Sequence, residues 1–316
     1  MSAGGRLPGA PEPTRFWPGA DGITLAGDEC GNPSGPLVIL QHGGGQTRHA
    51  WKNVGAKLGS AGFRVIAFDA RGHGDSDWAR DGRYGQDAMI NDLVCLLREL
   101  GNPRAALVGA SMGGGTSLVA IGEDRVDATA LVMVDIAPRV ERDGVARIRA
   151  FMHRKPEGFV DLEEAADAIA GYQPHRARPR NLAGLAKNLR LGEDGRYRWH
   201  WDPLFLAREI DVRKRQQRFE ACAARLRLPV LLVRGGLSDV LTEAGAREFL
   251  ALCPHSEYVS VGSAGHMIAG DRNDAFGEAV IDFLARAVPV GSEPVYPPHA
   301  PRPHREGPEG DLTDIP

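Results

Sequence analysis

The chain has 316 residues, of which 42% are hydrophobic and 25% charged, and this is typical of a globular protein that buries a substantial core. Its formal net charge of −3 argues against nucleic acid or an anionic membrane surface as a partner, because both attract clustered basic residues. The first residues, MSAGGRLPGAPEPTRFW, contain no apolar signal-peptide core and no stretch reaches the length of a membrane span, so a cytoplasmic location is expected.

Short apolar runs alternate along the chain with longer segments of helical character. The runs cover residues 36–41, 64–69, 105–109, 128–135, 229–234 and 257–261. Continuous Val, Ile and Leu runs are typical of parallel strands that helices cover on both faces. Residues 86–100 carry apolar side chains at helical spacing, and Gly101 marks the end of that helix. The alternation predicts an α/β protein with a mostly parallel, doubly wound sheet.

The alternation breaks between residues 136 and 228. This segment is rich in Arg, Ala and aromatic side chains and carries helical patterns without a clear buried strand. We interpret it as a helical cap inserted into a core formed by residues 1–135 and 229–288. Trp199 and Trp201 of the cap either line an apolar pocket or pack inside the cap.

A proline-rich tail follows the core. Residues 289–316 hold eight of the 22 prolines and few large apolar side chains. Burial of so little apolar surface cannot offset the entropy lost on ordering. We expect the tail to extend over the surface or onto a neighbouring subunit, which leaves a homo-oligomer open.

A candidate nucleophile lies in the sequence Gly109-Ala110-Ser111-Met112-Gly113, which matches G-x-S-x-G. The motif closes the apolar run AALVG and directly precedes the helical segment GGTSLVAIG. A strand, a sharp turn and a helix in this order form a nucleophile elbow, which exposes a serine hydroxyl above the sheet. The alternative is a glycine-rich turn with an incidental serine. We predict that Ser111 is the nucleophile.

A serine hydroxyl needs an adjacent base, so a histidine should follow the motif in the chain. His266 comes directly after the last strand-like run and before a helix. Loops at the carboxyl ends of strands are where an open α/β sheet builds its site. A solvated loop histidine is the alternative, but we predict that His266 is the base.

Two aspartates compete to orient that histidine. Asp239 follows the run PVLLVR, and Asp135 ends the earlier run ALVMVD. An acid between the serine and the histidine in the chain fits the order Ser, Asp/Glu, His. We predict Asp239 as the triad acid, and we keep Asp135 as the alternative.

The oxyanion of the reaction also needs backbone donors. His42-Gly43-Gly44-Gly45 follows the run PLVILQ, and glycines let a backbone N–H approach the oxyanion without obstruction by a side chain. The second donor in such sites is the residue after the nucleophile. We therefore predict that the N–H groups of Gly44 and Met112 form the oxyanion hole.

These motifs together resemble the α/β-hydrolase superfamily, in particular its cap-bearing branch of esterases, lactonases, carbon-carbon hydrolases, epoxide hydrolases and dehalogenases. The shared marks are His42-Gly43-Gly44, Asp69-Ala70-Arg71-Gly72-His73-Gly74-Asp75-Ser76, the motif around Ser111, Ser238-Asp239 and Gly265-His266. The epoxide hydrolases and dehalogenases of this branch use an aspartate nucleophile, so a serine at the elbow favours acyl transfer. The loop from Arg71 to Ser76 is a hallmark of the family to which we assign a structural role.

The resemblance implies a serine hydrolase that cleaves a carboxylic ester or lactone through an acyl-enzyme. It implies no metal and no organic cofactor, and the four widely spaced cysteines predict no zinc site or disulfide framework. The expected partner is a small, mainly apolar ester or lactone under the cap. Two alternatives stay open: a carbon-carbon hydrolase or perhydrolase with the same triad, and a ligand receptor that keeps the fold.

Overall fold

A computed structural model describes residues 4–172, 178, 182–207, 210–262, 264–266 and 273–291. The described residues form two sheets whose strands are β1 (Gly5–Arg6), β2 (Arg15–Pro18), β3 (Thr24–Gly31), β4 (Leu37–Gln41), β5 (Arg64–Phe68), β6 (Ala105–Ala110), β7 (Ala128–Val134), β8 (Leu189–Leu191), β9 (Tyr197–Trp199), β10 (Val230–Gly235) and β11 (Glu257–Val261). The larger sheet has eight strands in the order β11-β10-β7-β6-β4-β5-β3-β2. No helix in the described part of the chain is long and apolar enough to cross a membrane.

The predicted mostly parallel sheet is confirmed. The strands from β4 to β7, together with β10 and β11, pair in parallel, and each corresponds to one of the apolar runs. The sequence interpretation missed β2 and β3, which pair antiparallel at one edge of the sheet. Their sequences, RFWP and TLAGDECG, lack a continuous Val/Ile/Leu run because both strands are only partly buried.

Helices cover both faces of this sheet. The helices are α1 (Lys52–Ser60), α2 (Gln86–Glu99), α3 (Met112–Gly122), α4 (Arg142–Met152), α5 (Leu162–Tyr172), α6 (Leu204–Ala207), α7 (Val212–Arg225), α8 (Glu243–Leu252) and α9 (Asn273–Ala287). Buried side chains of α1 and α9 pack on one face of the sheet. Those of α2, α3, α7 and α8 pack on the other face, which makes the sheet doubly wound.

The segment between β7 and α7 forms a separate hydrophobic cluster above the sheet. It contains α4 and α5, but also β8 and β9, which build a three-stranded antiparallel sheet with β1 from the N-terminus. A cap of helices alone was expected, and the difference arises because strands of two or three residues are too short to show a periodic pattern. Trp199 and Trp201 stack 5.1 Å apart inside this cluster.

The last helix of the predicted cap range, α7, packs on the main core. Its residues Phe219 and Cys222 lie in the cluster that covers the sheet. A Cβ atom at Gly122 of α3 would come within 2.4 Å of the Cβ of Cys222, so the glycine permits the close approach of the two helices. The boundaries 136–228 and 229–288 stay predictions. Of the predicted tail, residues 292–316 lie outside the described part of the chain.

A buried network of charges joins the cap to the core. Arg48 donates to Asp69 at 2.6 Å and to Asp75 at 2.8 Å, and Arg190 of β8 donates to Asp75 at 2.8 Å. The side chains of Arg48 and Arg190 are 1% and 6% exposed. Buried charges must be paired in this way because an unpaired charge in the interior is strongly destabilising. The loop after β5 thus serves as the anchor for the cap strand.

Candidate active site

Ser111 lies at a strained turn between β6 and α3. Its φ and ψ are +46° and −104°, a conformation that a residue with a side chain rarely adopts. A Cβ atom at Gly109 would come within 2.3 Å of the backbone nitrogen of Gly114, and one at Gly113 within 2.5 Å of the carbonyl oxygen of Gln41. The flanking glycines are therefore sterically required, and the turn has the geometry of a nucleophile elbow.

His266 is bonded to Asp135. Its Nδ1 lies 2.7 Å from Oδ2 of Asp135, so Nδ1 carries the proton and donates it to the carboxylate. The side chain of Asp135 is fully buried and that of His266 is 6% exposed. Asp135 follows the last residue of β7 and has a φ of +52°, which points its side chain away from the strand ladder. The bond fixes the tautomer in which Nε2 accepts a proton.

The prediction that Asp239 partners His266 differs from the structure. The carboxylate of Asp239 is 44% exposed and pairs with Arg147 of α4 at 2.8 Å. Its neighbour Ser238 points inward instead, and the hydroxyl of Ser238 donates to Oδ2 of Asp135. The loop between β10 and α8 therefore presents Ser238 to Asp135 and Asp239 to Arg147 and solvent.

The predicted oxyanion loop offers one uncommitted backbone donor. Gly43 donates its N–H to Oε1 of Gln46 at 2.9 Å, and Gly45 donates its N–H to Nε2 of His73 at 3.1 Å. The N–H of Gly44, between them, has no protein acceptor among the described residues. Met112 begins α3, where backbone N–H groups lack intrahelical acceptors. Both predicted donors line the same cavity as Ser111 and His266.

Two histidines hold the predicted oxyanion loop from both sides: His73, from the loop to which a structural role was assigned, and His200, which the sequence interpretation did not single out. Nε2 of His73 accepts the N–H of Gly45, and Nε2 of His200 lies 3.3 Å from the carbonyl oxygen of the same residue. Nδ1 of His73 lies 3.1 Å from the carbonyl oxygen of Arg71, and Nδ1 of His200 accepts the N–H of Gly74 at 2.8 Å. Each ring thus donates once and accepts once, as a neutral imidazole does.

His42 makes a third such bridge. Its Nε2 accepts the N–H of Ala70 at 2.9 Å, and its Nδ1 lies 2.8 Å from the carbonyl oxygen of Gly43. Burial lowers the pKa of His42 to about 4 and that of His73 to about 3. Burial also holds the pKa of His200 well below its usual range. All three rings are therefore neutral near pH 7 and act as rigid connectors of the loop.

These rings are expected to make the fold sensitive to acid. Below about pH 6.5 the unfolded chain binds protons that the buried rings cannot, so stability present above that pH is lost as the pH falls towards 4. Each ring contributes about 1.4 kcal/mol per pH unit in this window. Urea unfolding at pH 7 and pH 5 should show a loss that is about 2 kcal/mol smaller for His73→Asn than for the wild type. An equal loss in both proteins would contradict the neutral state of His73.

A cavity of about 700 Å³ opens above the elbow, a size typical of small-molecule sites. Ser111, His266, Gly44 and Met112 lie at its lining. Its walls are mainly apolar and are contributed by Met89, Ile136, Val140, Val145, Ile148, Met152, Phe205, Leu206, Ile210, Val212 and Val240. Trp199 and Trp201 are not among the lining residues, so they pack inside the cap.

Comparison with known proteins decides the family. The family model described as the alpha/beta hydrolase fold matches residues 36–272. The chain belongs to the α/β-hydrolase family. Among the curated members to which this hydrolase is similar, the esterase Rv0045c of Mycobacterium tuberculosis is 32% identical over 268 residues, which cover 79% of this chain and 83% of that protein.

Further members of the family differ in the substrates that their names give. The mouse sn-1-specific diacylglycerol lipase ABHD11 is 28% identical over 267 residues, 81% of this chain and 83% of that protein. The crystal structure of E-2-(acetamidomethylene)succinate hydrolase superposes on this α/β-hydrolase with a TM-score of 0.75 at 25% identity, and covers 85% of this chain and 98% of that one. The similarities support hydrolase chemistry and leave the cleaved bond open.

Proposed function

We propose that the protein hydrolyses carboxylic esters or lactones through an acyl-enzyme on Ser111. His266 acts as the general base and Asp135 orients it, in place of the predicted Asp239. The observation that carries the proposal is the 2.7 Å bond between His266 and Asp135 at a cavity into which a strained elbow serine opens. The named esterase and lipase among the relatives support the choice of an ester bond.

Each group has one task in this mechanism. Nε2 of His266 takes the proton of Ser111 as the serine oxygen attacks the substrate carbonyl, and then gives it to the leaving oxygen. Asp135 stabilises the imidazolium that forms in between. The N–H groups of Gly44 and Met112 donate to the oxyanion. A water molecule, deprotonated by His266, then releases the acyl group and restores Ser111.

The loop that carries the proposed oxyanion donor Gly44 is held rigidly. The predicted oxyanion loop is held on both sides of Gly44, where the N–H of Gly43 donates to Gln46 and the N–H of Gly45 donates to His73. Donors held in place before the reaction need no reorganisation when charge develops, and one such donor is worth about 3–4 kcal/mol of barrier.

Labelling with a fluorophosphonate probe tests the proposal. The probe phosphonylates a serine that a base activates, with loss of fluoride, so we expect stoichiometric labelling of the wild-type protein at Ser111 and none of Ser111→Ala. A peptide map of the labelled protein locates the site. Labelling no faster than in a heat-denatured sample, or modification at another serine, would overturn the assignment of Ser111.

A further inference from the structure

One wall of the cavity is formed by α4 and the first turn of α7. From α4, residues Arg142, Val145, Arg149 and Met152 reach the cavity at spacings of three and four, so they lie along one face of the helix. From α7 come Val212, Arg213 and Arg215. The wall therefore combines apolar side chains with guanidinium groups.

Positive charge dominates this wall. Four arginines line the cavity, at positions 142, 149, 213 and 215, and Asp211 is the one carboxylate among the described lining residues. That carboxylate caps α7 by accepting the N–H of Lys214 at 3.0 Å, and its Oδ2 lies 3.8 Å from Nζ of Lys214. Even with Asp211 counted, positive charge exceeds negative charge among the described lining residues.

Two of the four arginines have protein contacts. Arg149 donates to the carbonyl oxygen of Leu206 at 2.7 Å, and Arg215 lies 4.3 Å from the centre of the Phe219 ring. The guanidinium groups of the other two, Arg142 and Arg213, form no ion pair or hydrogen bond with any described residue. These two side chains are exposed at the cavity.

The positions of these two arginines are unfavourable for the helices that carry them. Arg142 is the first residue of α4 and Arg213 the second residue of α7. The N-terminus of a helix carries a partial positive charge, so a cation there costs roughly 0.3–1 kcal/mol and an anion is favoured. The stability of the two helices therefore does not explain why arginines occupy these two positions. A bound anion at these helix ends would relieve the unfavourable contacts.

Arg147 on the same helix provides the contrast. It lies outside the cavity lining and pairs with Asp239 at 2.8 Å. The arginine of α4 that faces away from the cavity thus has a carboxylate partner, whereas Arg142 at the cavity has none in the described chain. The lack of a carboxylate partner is therefore a feature of Arg142 at the cavity and not of every arginine on α4.

We propose that the substrate carries an anionic oxygen group, a carboxylate or phosphate, that Arg142 and Arg213 bind. The apolar walls hold the hydrocarbon part of the substrate, and the ester lies at Ser111. This proposal rests on the proposed ester hydrolysis and narrows its substrate class from apolar esters to amphiphilic ones. Guanidinium groups suit both anions, since each offers paired oxygen acceptors to the planar fork.

Matched esters test the proposal by turnover. Mono-4-nitrophenyl adipate ends in a carboxylate, 4-nitrophenyl methyl adipate ends in a neutral group, and a third ester of equal length ends in a phosphate. We expect the wild type to prefer an anionic ester by about tenfold in kcat/KM, mainly through KM, since tenfold corresponds to one good charge contact. Sodium chloride should reduce the preference because salt screens an exposed contact. The two anionic esters distinguish carboxylate from phosphate.

Substitution then assigns the preference to the two arginines. We expect Arg142→Gln/Arg213→Gln to lose most of the tenfold preference, and Arg147→Gln to keep it. Wild-type protein that hydrolyses the neutral ester equally well overturns the anion proposal but leaves ester hydrolysis standing. Retention of the preference in the double variant assigns the anion to other residues and also overturns the proposal.

A binding measurement separates this proposal from the catalytic one. Monomethyl adipate is titrated calorimetrically into Ser111→Ala and into the same variant with both arginines replaced by glutamine. Binding that weakens about tenfold with the arginine substitutions supports the anion site even if no ester is turned over. Equal binding by the two proteins overturns the anion site, whatever the outcome of the labelling at Ser111.

Discussion

Replacing Asp135 with Asn is expected to lower kcat on a simple 4-nitrophenyl ester by up to about ten-thousandfold while the protein stays folded. Both oxygens of the Asp135 carboxylate are in use. Oδ1 accepts the N–H of Gly235 at 2.8 Å, and Oδ2 accepts from the hydroxyl of Ser238 and from Nδ1 of His266. The carboxylate thus accepts hydrogen bonds from three different donors.

An amide cannot satisfy that set of donors. It has one acceptor oxygen, so its NH₂ group must face either Gly235 or His266. If the NH₂ group faces His266, the imidazole takes the tautomer with the proton on Nε2 and no longer accepts the proton of Ser111. If it faces Gly235, two donors oppose each other in a buried site, which costs about 1–3 kcal/mol.

Asp239→Asn is the matched control. Its carboxylate is 44% exposed and bonded to an arginine that is itself 62% exposed, and such surface pairs contribute about 0–1 kcal/mol. We expect kcat within about threefold of the wild type. Rates are compared at equal folded yield by circular dichroism. A large loss in Asp239→Asn together with an active Asp135→Asn would restore the original assignment of Asp239.

Replacing Asp92 with Ala is expected to lower the free energy of unfolding by about 3–5 kcal/mol. Asp92 of α2 accepts two hydrogen bonds from Arg71, at 2.6 and 2.7 Å, and the two side chains are 3% and 0% exposed. Its removal leaves the guanidinium of Arg71 buried without its main counterion. Urea denaturation with an unchanged m-value measures the loss.

Two variants control for this interpretation. Asp21, 33% exposed, also contacts Arg71 at 3.3 Å, and Asp21→Ala should cost less than about 1 kcal/mol because the contact is partly solvated. The double replacement Arg71→Met/Asp92→Leu removes both charges and should recover most of the lost stability. A loss below 1 kcal/mol in Asp92→Ala would show that Arg71 is not a buried charge in solution.

The central strands were predictable because their environment is uniform. A strand between two helical layers needs apolar side chains at every position, and that demand is visible in runs such as LVILQ and ATALVMV. The two antiparallel strands at the end of the large sheet, β2 and β3, and the short cap strands are partly exposed to solvent. Many different sequences suit such an environment, so no sequence pattern identified these strands. The pairing of β1 with β8 joins residues about 185 positions apart, which no local pattern encodes.

The identity of the acid shows where sequence reasoning stopped. Asp135 and Asp239 both follow strand-like runs, and β7 and β10 are neighbours in the sheet, so both carboxylates start near the same edge. The backbone after each strand then decides which one reaches His266. At Asp135 a positive φ turns the carboxylate towards the histidine. At Asp239 the preceding serine takes the inward position. The sequence did contain a signal for Asp135, because it directly follows β7, and β7 is the neighbour of β6, the strand that leads to Ser111.

The sequence by itself determined the elements whose geometry is local. The sharp turn at Ser111 needs glycines within a few residues because Cβ atoms there would clash with the backbone, and Gly45 of the loop around Gly44 has a φ of +75° that favours glycine, so both motifs are visible in the chain. Only the tertiary structure decided that Asp135 bonds His266, that His73 and His200 hold the predicted oxyanion loop, and that Arg142 and Arg213 reach the cavity without counterions among the described residues. These contacts join distant segments, and their formation depends on side-chain directions that are fixed only when the sheet and the cap pack together.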